Sequence, residues 1–175
     1  NFSLASAYGK IYVFGGQTAD TIDGIYSASN VIYEYDPKTD VWTAKNTLSE
    51  ARYNVSSAFY NDKIYITGGY SGGNTNIVET YDPITNTVTV MSNLPSSYSA
   101  HYSCVLDNEL YIFTSTQAGA LKYNAVLDEW NEINPTGTCE GDIFAIINGN
   151  LYCFGNSGVE SVNQQFYKYL PSDNI

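Results

Sequence analysis

One short pattern occurs four times in this chain: an apolar strand that carries a tyrosine at its second position. In two copies a pair of glycines follows the strand directly. The four copies are Ile11–Phe14, Ile64–Thr67, Leu110–Phe113 and Leu151–Phe154. Their tyrosines lie roughly 40 to 55 residues apart, which suits a repeat unit of four strands and is too long for leucine-rich or tetratricopeptide repeats.

The second copy shows the whole repeat most clearly. It predicts strands over Asn54–Tyr60, Lys63–Thr67 and Asn76–Asp82, and a fourth strand from Thr87. The strand Lys63–Thr67 is apolar on both of its faces, which predicts a sheet covered on both sides. No segment carries apolar residues at a helical period, so we predict an all-β chain.

Turn residues separate the predicted strands. The pairs between the first and second strands are Tyr8-Gly9, Asn61-Asp62, Asp107-Asn108 and Asn148-Gly149. Most of these residues tolerate the positive φ that a two-residue hairpin requires. Asp36-Pro37 and Asp82-Pro83 predict type I turns before the fourth strand. The glycines after the second strand predict a bulge, a positive φ or the close approach of another backbone.

Charge argues against two classes of partner. The net charge is −11, and the seven Lys and Arg residues are scattered along the chain. Binding to nucleic acid or to an anionic membrane surface needs clustered cations, so we predict neither. No apolar run approaches the roughly 18 residues of a membrane span. The start at Asn1 fits a mature or excised fragment.

Metal and cofactor binding are not predicted. The chain has three cysteines, Cys104, Cys139 and Cys153, without the spacing of a zinc site or a disulfide framework. Cys139, in a loop-like stretch, is the only plausible reactive thiol. A single histidine, His101, does not build a zinc or copper site. Asp20 and Asp23 are too few for a calcium site.

The combined pattern resembles the kelch repeat, in which Tyr and Gly-Gly are followed by Tyr-Asp-Pro and then Trp. The first copy carries every mark: Tyr12, Gly15, Gly16, Tyr35, Asp36 and Trp42. The second carries Tyr65, Gly68, Gly69, Tyr81 and Asp82, with Val88 in place of Trp. The third keeps Tyr111, Tyr123 and Trp130, and the fourth keeps Tyr152, Gly155 and Tyr169. The resemblance covers essentially the whole chain.

The resemblance implies a β-propeller of four-stranded antiparallel blades. We expect one kelch segment with blades near 1–48, 49–95, 96–136 and 137–175, the first three complete and the fourth lacking its last strand. Kelch propellers usually have six blades, which would need roughly 280 residues at this repeat length. The segment is therefore expected to be part of a larger propeller or to close with another chain. Self-association would cover the apolar blade faces.

Two phrases are similar to those of surface or secreted bacterial kelch arrays. They are Ala51–Asn54 and Asn61–Tyr65. They favour a secreted or cell-surface protein, with the cytoplasm left open.

The resemblance also indicates where a ligand would bind. In kelch propellers the binding surface is built by the loop after the Gly-Gly strand and the loop that enters the next blade. The candidates on these loops are Tyr70, Arg52, Tyr53, Tyr98, His101 and Gln17. The tyrosines either contact a sugar or a protein partner or pack between blades. Arg52 either contacts a ligand, bonds neighbouring backbone or pairs with Glu50.

We therefore predict a non-catalytic module that binds a protein or a glycan. One alternative is a fragment of an epimerase-like kelch enzyme, although that class relies on Arg and Glu in a central funnel and this chain has one arginine. The kelch-type copper oxidases need two histidines, which excludes them for this segment. The other alternative is a purely structural repeat segment of a larger surface protein.

Overall fold

A computed structural model gives the fold of the 175-residue chain. It describes residues 1–19, 26–114, 119–133, 143–155 and 165–169. These residues form strands, turns and bends, and none of them lies in a helix that could span a membrane. The chain divides into two compact units, residues 1–100 and 101–175.

The first unit contains two four-stranded antiparallel sheets and a short hairpin. Its strands are β1 (Ser3–Ala7), β2 (Lys10–Phe14), β3 (Gln17–Ala19), β4 (Tyr26–Ala28), β5 (Val31–Asp36), β6 (Val41–Thr47), β7 (Ser56–Tyr60), β8 (Lys63–Thr67), β9 (Val78–Asp82) and β10 (Thr87–Val90). Sheet 1 has the order β1-β2-β5-β6, and sheet 2 has the order β7-β8-β9-β10. The hairpin pairs β3 with β4.

The second unit contains one four-stranded sheet and one sheet of three described strands. Its strands are β11 (Tyr102–Leu106), β12 (Glu109–Phe113), β13 (Ala120–Asn124), β14 (Glu129–Ile133), β15 (Ile143–Ile147), β16 (Asn150–Gly155) and β17 (Gln165–Tyr169). Sheet 3 has the order β11-β12-β13-β14, and sheet 4 has the order β15-β16-β17. The prediction of an all-β chain with three four-stranded antiparallel sheets and a shorter fourth is confirmed for the described residues.

Three local predictions were wrong. The third strand of the second repeat begins at Val78 rather than Asn76. The first strand of the second repeat begins at Ser56 rather than Asn54, because Asn54 has a positive φ of 52° and donates its N–H to the Asn1 carbonyl at 2.8 Å. The loop after the first Gly-Gly pair, on which Gln17 was predicted to lie, instead begins with strand β3 and contains its pairing partner β4. The Thr18 hydroxyl reinforces that pairing with a hydrogen bond to the Ser27 carbonyl.

The hairpin turns follow the sequence prediction closely. All eight residues of the four predicted two-residue turns have positive φ, between 47° and 74°. This set includes Tyr8, whose bulky side chain makes positive φ uncommon. Its ring packs edge-on against Phe59 at 5.4 Å, and its hydroxyl donates to Asp62. Contacts across two neighbouring hairpins therefore accompany the unusual backbone at Tyr8.

The core of the first unit lies between its two sheets. Sheet 1 contributes Tyr12, Phe14 and Ile32, and sheet 2 contributes Ile64 and Ile66. The first strands of the two sheets, β1 and β7, lie side by side and are joined by a 2.7 Å hydrogen bond between serine hydroxyls. Strand β8 is buried on both faces, as its sequence predicts.

The face of sheet 1 opposite the core is exposed to solvent. Its register places four large apolar side chains on this face: Leu4, Ile11, Tyr33 and Trp42. Each is at least 36% exposed. The corresponding positions of sheet 2 include Ile64 and Val88, which pack against sheet 1. The same strand positions are thus buried in one sheet and exposed in the other.

The second unit repeats this packing. Tyr111 and Phe113 of sheet 3 and Leu151 of sheet 4 belong to one buried cluster. Tyr102 stacks on Phe144 with ring centroids 4.9 Å apart. The positions of Tyr111 and Phe113 correspond to those of Tyr12 and Phe14 in the first repeat. Each unit therefore has a core built from the same repeat positions.

A hydrogen bond that the sequence analysis missed recurs in three sheets. The hydroxyl of the third-strand tyrosine donates to the side chain of the fifth residue beyond it, which has positive φ and ends the turn. The three pairs are Tyr35–Asp40 at 2.8 Å, Tyr81–Asn86 at 3.0 Å and Tyr123–Asp128 at 2.8 Å. This bond ties the turn to the strand that precedes it.

Candidate binding surface

Arg52 is a structural residue rather than a ligand contact. Its side chain is fully buried. The guanidinium donates to the Gly68 carbonyl at 2.6 Å and the Ile77 carbonyl at 3.2 Å, and it forms an ion pair with Glu79. Burial lowers the pKa of Arg52, and the charge of Glu79 opposes that shift. Of the three roles considered for Arg52, the structure shows bonding to backbone, and the ion pair forms with Glu79 rather than Glu50.

Glu79 completes this buried ion pair. Its other carboxylate oxygen accepts a hydrogen bond from the Ser49 backbone N–H at 2.8 Å. The carboxylate therefore joins β9 of sheet 2 to the segment that connects the two sheets. Sequence reasoning missed this role, although a charged residue inside a strand that is otherwise buried is a signal that a buried partner exists.

The glycine pairs make room for the segment around Arg52. Gly15 has a φ of +63°, and a Cβ there would lie 2.3 Å from the Arg52 carbonyl oxygen. Gly69 has a φ of +108°, and a Cβ there would lie 2.6 Å from a methyl group of Val55. Gly16 donates its N–H to the same Arg52 carbonyl at 2.9 Å. Of the roles predicted for these glycines, positive φ and close backbone approach are both observed.

Tyr53 and Tyr70 form an aromatic pair above this buried segment. Each donates its backbone N–H to the carbonyl of the other, at 3.2 and 2.8 Å. Their ring centroids are 5.2 Å apart with an interplanar angle of 39°. Both side chains are half-buried. The two backbone hydrogen bonds fix the main chain, and the contact between the rings restricts the side chains, so less conformational entropy is lost when a partner binds.

Tyr98 is brought to the same place by backbone contacts. Its carbonyl accepts the Gly69 N–H at 2.8 Å, and its own N–H donates to Thr75 at 3.0 Å. Next to it, the Ser99 hydroxyl donates to the Asn74 side chain at 2.8 Å. Two loops that are separate in sequence therefore form one surface.

Gln17 lies at the same end of the first unit, because Asn1 connects it to Asn54. The Asn1 side chain donates to the Gln17 side chain, and the Asn1 carbonyl accepts the N–H of Asn54. His101 begins the second unit and is half-buried. Of the six predicted site residues, Tyr53, Tyr70, Tyr98 and Gln17 therefore lie at one end of the first unit. We call this end the glycine end, since Gly15, Gly16, Gly68 and Gly69 lie there.

The glycine end is poor in cationic side chains. Arg52 is neutralised in the interior by Glu79, and Lys10 is paired at 2.7 Å with Glu34. Lys38 and Lys63 are in or beside turns at the opposite end of the sheets. By contrast, the glycine end carries Glu50, whose carboxylate accepts a hydrogen bond from the Ser71 hydroxyl at 3.0 Å.

Metal-binding side chains are not gathered in the described part of the chain. No group of three or more His, Cys, Asp or Glu residues there could hold a metal ion. Cys104 is buried, which raises the pKa of its thiol to about 12 and suits the role of a small apolar side chain in the core. Cys139, Asp20 and Asp23 lie outside the described residues.

The family model and the similar proteins that match this chain agree on one family. The KLHDC2/KLHL20/DRC7 Kelch-repeats domain matches residues 2–156. Spermatocyte protein spe-26 of Caenorhabditis elegans is 36% identical over 107 residues, which is 59% of this chain and 18% of that protein. Kelch-like protein 36 of Rattus norvegicus is 28% identical over 158 residues, which is 85% of this chain and 26% of that protein. An F-box/kelch-repeat protein of Arabidopsis thaliana is 27% identical over 132 residues, 74% of this chain and 35% of that protein.

The chain thus spans less than half the length of these curated relatives. They come from animals and a plant, and they lend no support to the resemblance to bacterial arrays. The family profile extends over four copies of the tyrosine-bearing strand, and the tyrosine-to-turn bond recurs in the three sheets whose turns are described. This chain belongs to the kelch-repeat family of β-propeller proteins.

Proposed function

We propose that this chain is a non-catalytic protein-binding module whose partner lies on the glycine end of the first unit. The observation that carries the proposal is the Tyr53–Tyr70 pair, half-exposed and fixed by two backbone hydrogen bonds. Tyrosines held in this way supply a large contact area at low entropic cost and are enriched among residues that dominate binding energy. Tyr98 and Asn74 extend the surface with polar contacts.

The burial of Arg52 supports binding over catalysis. An epimerase-like mechanism relies on an accessible arginine, and the one arginine of this chain is held in the interior by Glu79. Burial raises the pKa of the Cys104 thiol, which makes it a poor nucleophile. The burial of Arg52 and Cys104 therefore favours structural roles for both side chains.

A glycan is the second candidate, because tyrosine rings also stack on sugars. The 39° angle between Tyr53 and Tyr70 favours a protein partner, since it presents two differently oriented faces rather than one flat platform. The remaining alternative is a purely structural segment that binds no ligand.

The test is a substitution series on the surface. Tyr70→Ala and Tyr98→Ala should each weaken binding to a captured protein while the melting temperature changes little. Ile84→Ala, at an exposed position in the turn between β9 and β10, is the matched control and should bind normally. Normal binding by both tyrosine variants would contradict the choice of surface. Binding on a glycan array, together with no captured protein, would favour the glycan. If neither experiment detects a ligand, the purely structural segment is favoured.

We further propose that residues 1–175 form a single kelch segment with blades near 1–48, 49–95, 96–136 and 137–175. Another sheet, from a longer propeller of which this segment is a part, from a second copy or from a different chain, would cover the open face of sheet 1. The exposure of Trp42 and Ile11 supports this, since Val88 and Ile64 at the corresponding positions of sheet 2 pack against a neighbouring sheet. Sedimentation should detect association that Trp42→Arg weakens and Ile84→Arg does not. A folded, strictly monomeric chain would count against it.

A further inference from the structure

The aromatic pair of the glycine end offers electron-rich ring faces. Tyr53 and Tyr70 are half-buried and keep part of their rings accessible. A lysine ammonium or arginine guanidinium is attracted to the face of a tyrosine ring. The chain uses this contact elsewhere, because the Lys122 ammonium lies 5.8 Å from the centroid of the Tyr111 ring.

Glu50 provides a negative charge directly beside this pair. Its carboxylate is positioned by the Ser71 hydroxyl at 3.0 Å, and Ser71 follows Tyr70 in sequence. Glu50 contributes only through-space attraction to Arg52, whose hydrogen bonds go to Gly68, Ile77 and Glu79. Among the described residues Glu50 forms no ion pair with a lysine or arginine, which leaves its charge available to a partner.

No lysine or arginine in the described part of the chain forms an ion pair with Glu50 at this surface. No lysine or arginine occurs between Lys63 and Lys122 in the sequence. Within the first unit, Lys10 and Lys45 are both within ion-pair distance of Glu34. The net charge of −11 adds long-range attraction for a basic partner.

We infer that the glycine end binds a basic protein segment, with an arginine or lysine side chain placed against Tyr53 and Tyr70 and paired with Glu50. This rests on the proposed function and specifies the chemistry of the partner. Arginine suits the site best, because its planar guanidinium stacks on a ring while donating to a carboxylate.

The experiment is selection from a random twelve-residue peptide library displayed on phage, at about 0.15 M salt so that diffuse attraction is screened. The bait is the full chain and three variants: Tyr70→Ala, Glu50→Gln and Asp62→Asn. Asp62→Asn removes one negative charge at the opposite end of sheet 2 and is compatible with the positive φ of that turn. Affinities of selected peptides are then measured by fluorescence anisotropy, beside copies in which norleucine replaces the basic residue.

We expect selected peptides rich in arginine and lysine. Their affinity should fall about tenfold with Tyr70→Ala, roughly fivefold with Glu50→Gln and with the norleucine peptides, and stay unchanged with Asp62→Asn. Peptides without basic enrichment that still depend on Tyr70 would overturn this inference and leave the proposed function standing. Basic peptides that bind all variants equally would overturn it by indicating attraction to overall charge. Selection of no peptide by the folded chain would overturn the inference and the proposed function together.

Discussion

The two ends of the sheets in the first unit are built by different means. At the turn end, each connection is made by residues that are neighbours in sequence, such as Asn61-Asp62 and the stretch from Asp82 to Asn86. At the glycine end, Arg52 binds groups 16 to 27 residues away, at Gly68 and Glu79. A change at the turn end should therefore act locally, whereas a change beneath the glycine end should disturb both sheets and the proposed binding surface.

The largest expected effect comes from Arg52→Met. The substitution leaves Glu79 buried without its cation, which typically costs roughly 3–5 kcal/mol of unfolding free energy. Urea unfolding followed by circular dichroism would measure the loss. The matched control is Glu109→Gln, which breaks the exposed Lys122–Glu109 pair and should cost less than about 1 kcal/mol. Equal losses in the two variants would show that the buried pair has no special role.

Gly15→Ala should have the next largest effect. The new methyl group would meet the Arg52 carbonyl oxygen, and the positive φ of Gly15 disfavours any side chain, so we expect a loss of at least about 2 kcal/mol. Gly72→Ala is the control: it has a positive φ of 77° but open space around it. Its cost should be roughly 1 kcal/mol, from backbone strain alone. Thermal unfolding distinguishes the two, and a Gly72 effect as large as that of Gly15 would refute the close-approach explanation.

At the turn end, Tyr81→Phe should have a moderate effect. It removes the hydrogen bond from a buried hydroxyl to Asn86, which is worth about 1 kcal/mol. Tyr35→Phe removes the equivalent bond to Asp40 on the exposed face of sheet 1 and should change stability by less than about 0.5 kcal/mol. Urea unfolding of both variants tests whether burial sets the strength of this repeated bond.

The raised pKa of Tyr81 predicts that the protein loses stability at alkaline pH. Burial raises the pKa of Tyr81 to about 12, above the ordinary value of 10.0. The folded state therefore holds this proton more tightly than the unfolded state, so the contribution is fully present below pH 10 and is lost as pH rises towards 12. In unfolding experiments at several pH values, Tyr81→Phe should lose less unfolding free energy between pH 10 and 12 than the unsubstituted protein. The pKa of Tyr12 is raised as well, by burial first and by its hydrogen bond to Glu34, so the decline should not disappear.

The turn end could be predicted from the sequence, because its geometry depends on adjacent residues. Asn61-Asp62 and Asn148-Gly149 were identified as hairpins, and both have positive φ throughout. The tyrosine-to-turn bond was missed, although the five-residue spacing of Tyr35 and Asp40 repeats twice more. Such a bond is visible in a sequence only when the copies are aligned and a partner is sought.

The glycine end was less predictable because it depends on distant residues. The tyrosines of the surface were found from their positions in the repeat. The partner of Arg52 was not, since Glu79 reaches it only after sheet 2 has formed. The open face of sheet 1 is a similar case: Ile11 and Ile64 occupy the same repeat position, and only the packing of whole sheets exposes one and buries the other.

The central claim is that the glycine end, rather than the turn end, meets the partner. The most direct measurement compares Tyr70→Ala with Tyr8→Ala, because Tyr8 is an exposed tyrosine at the turn end of the same unit. Binding of a selected peptide and the melting temperature should be measured for each. We predict that Tyr70→Ala loses binding while it stays folded, and that Tyr8→Ala keeps its affinity. Retained binding in Tyr70→Ala, or loss only in Tyr8→Ala, would contradict the account.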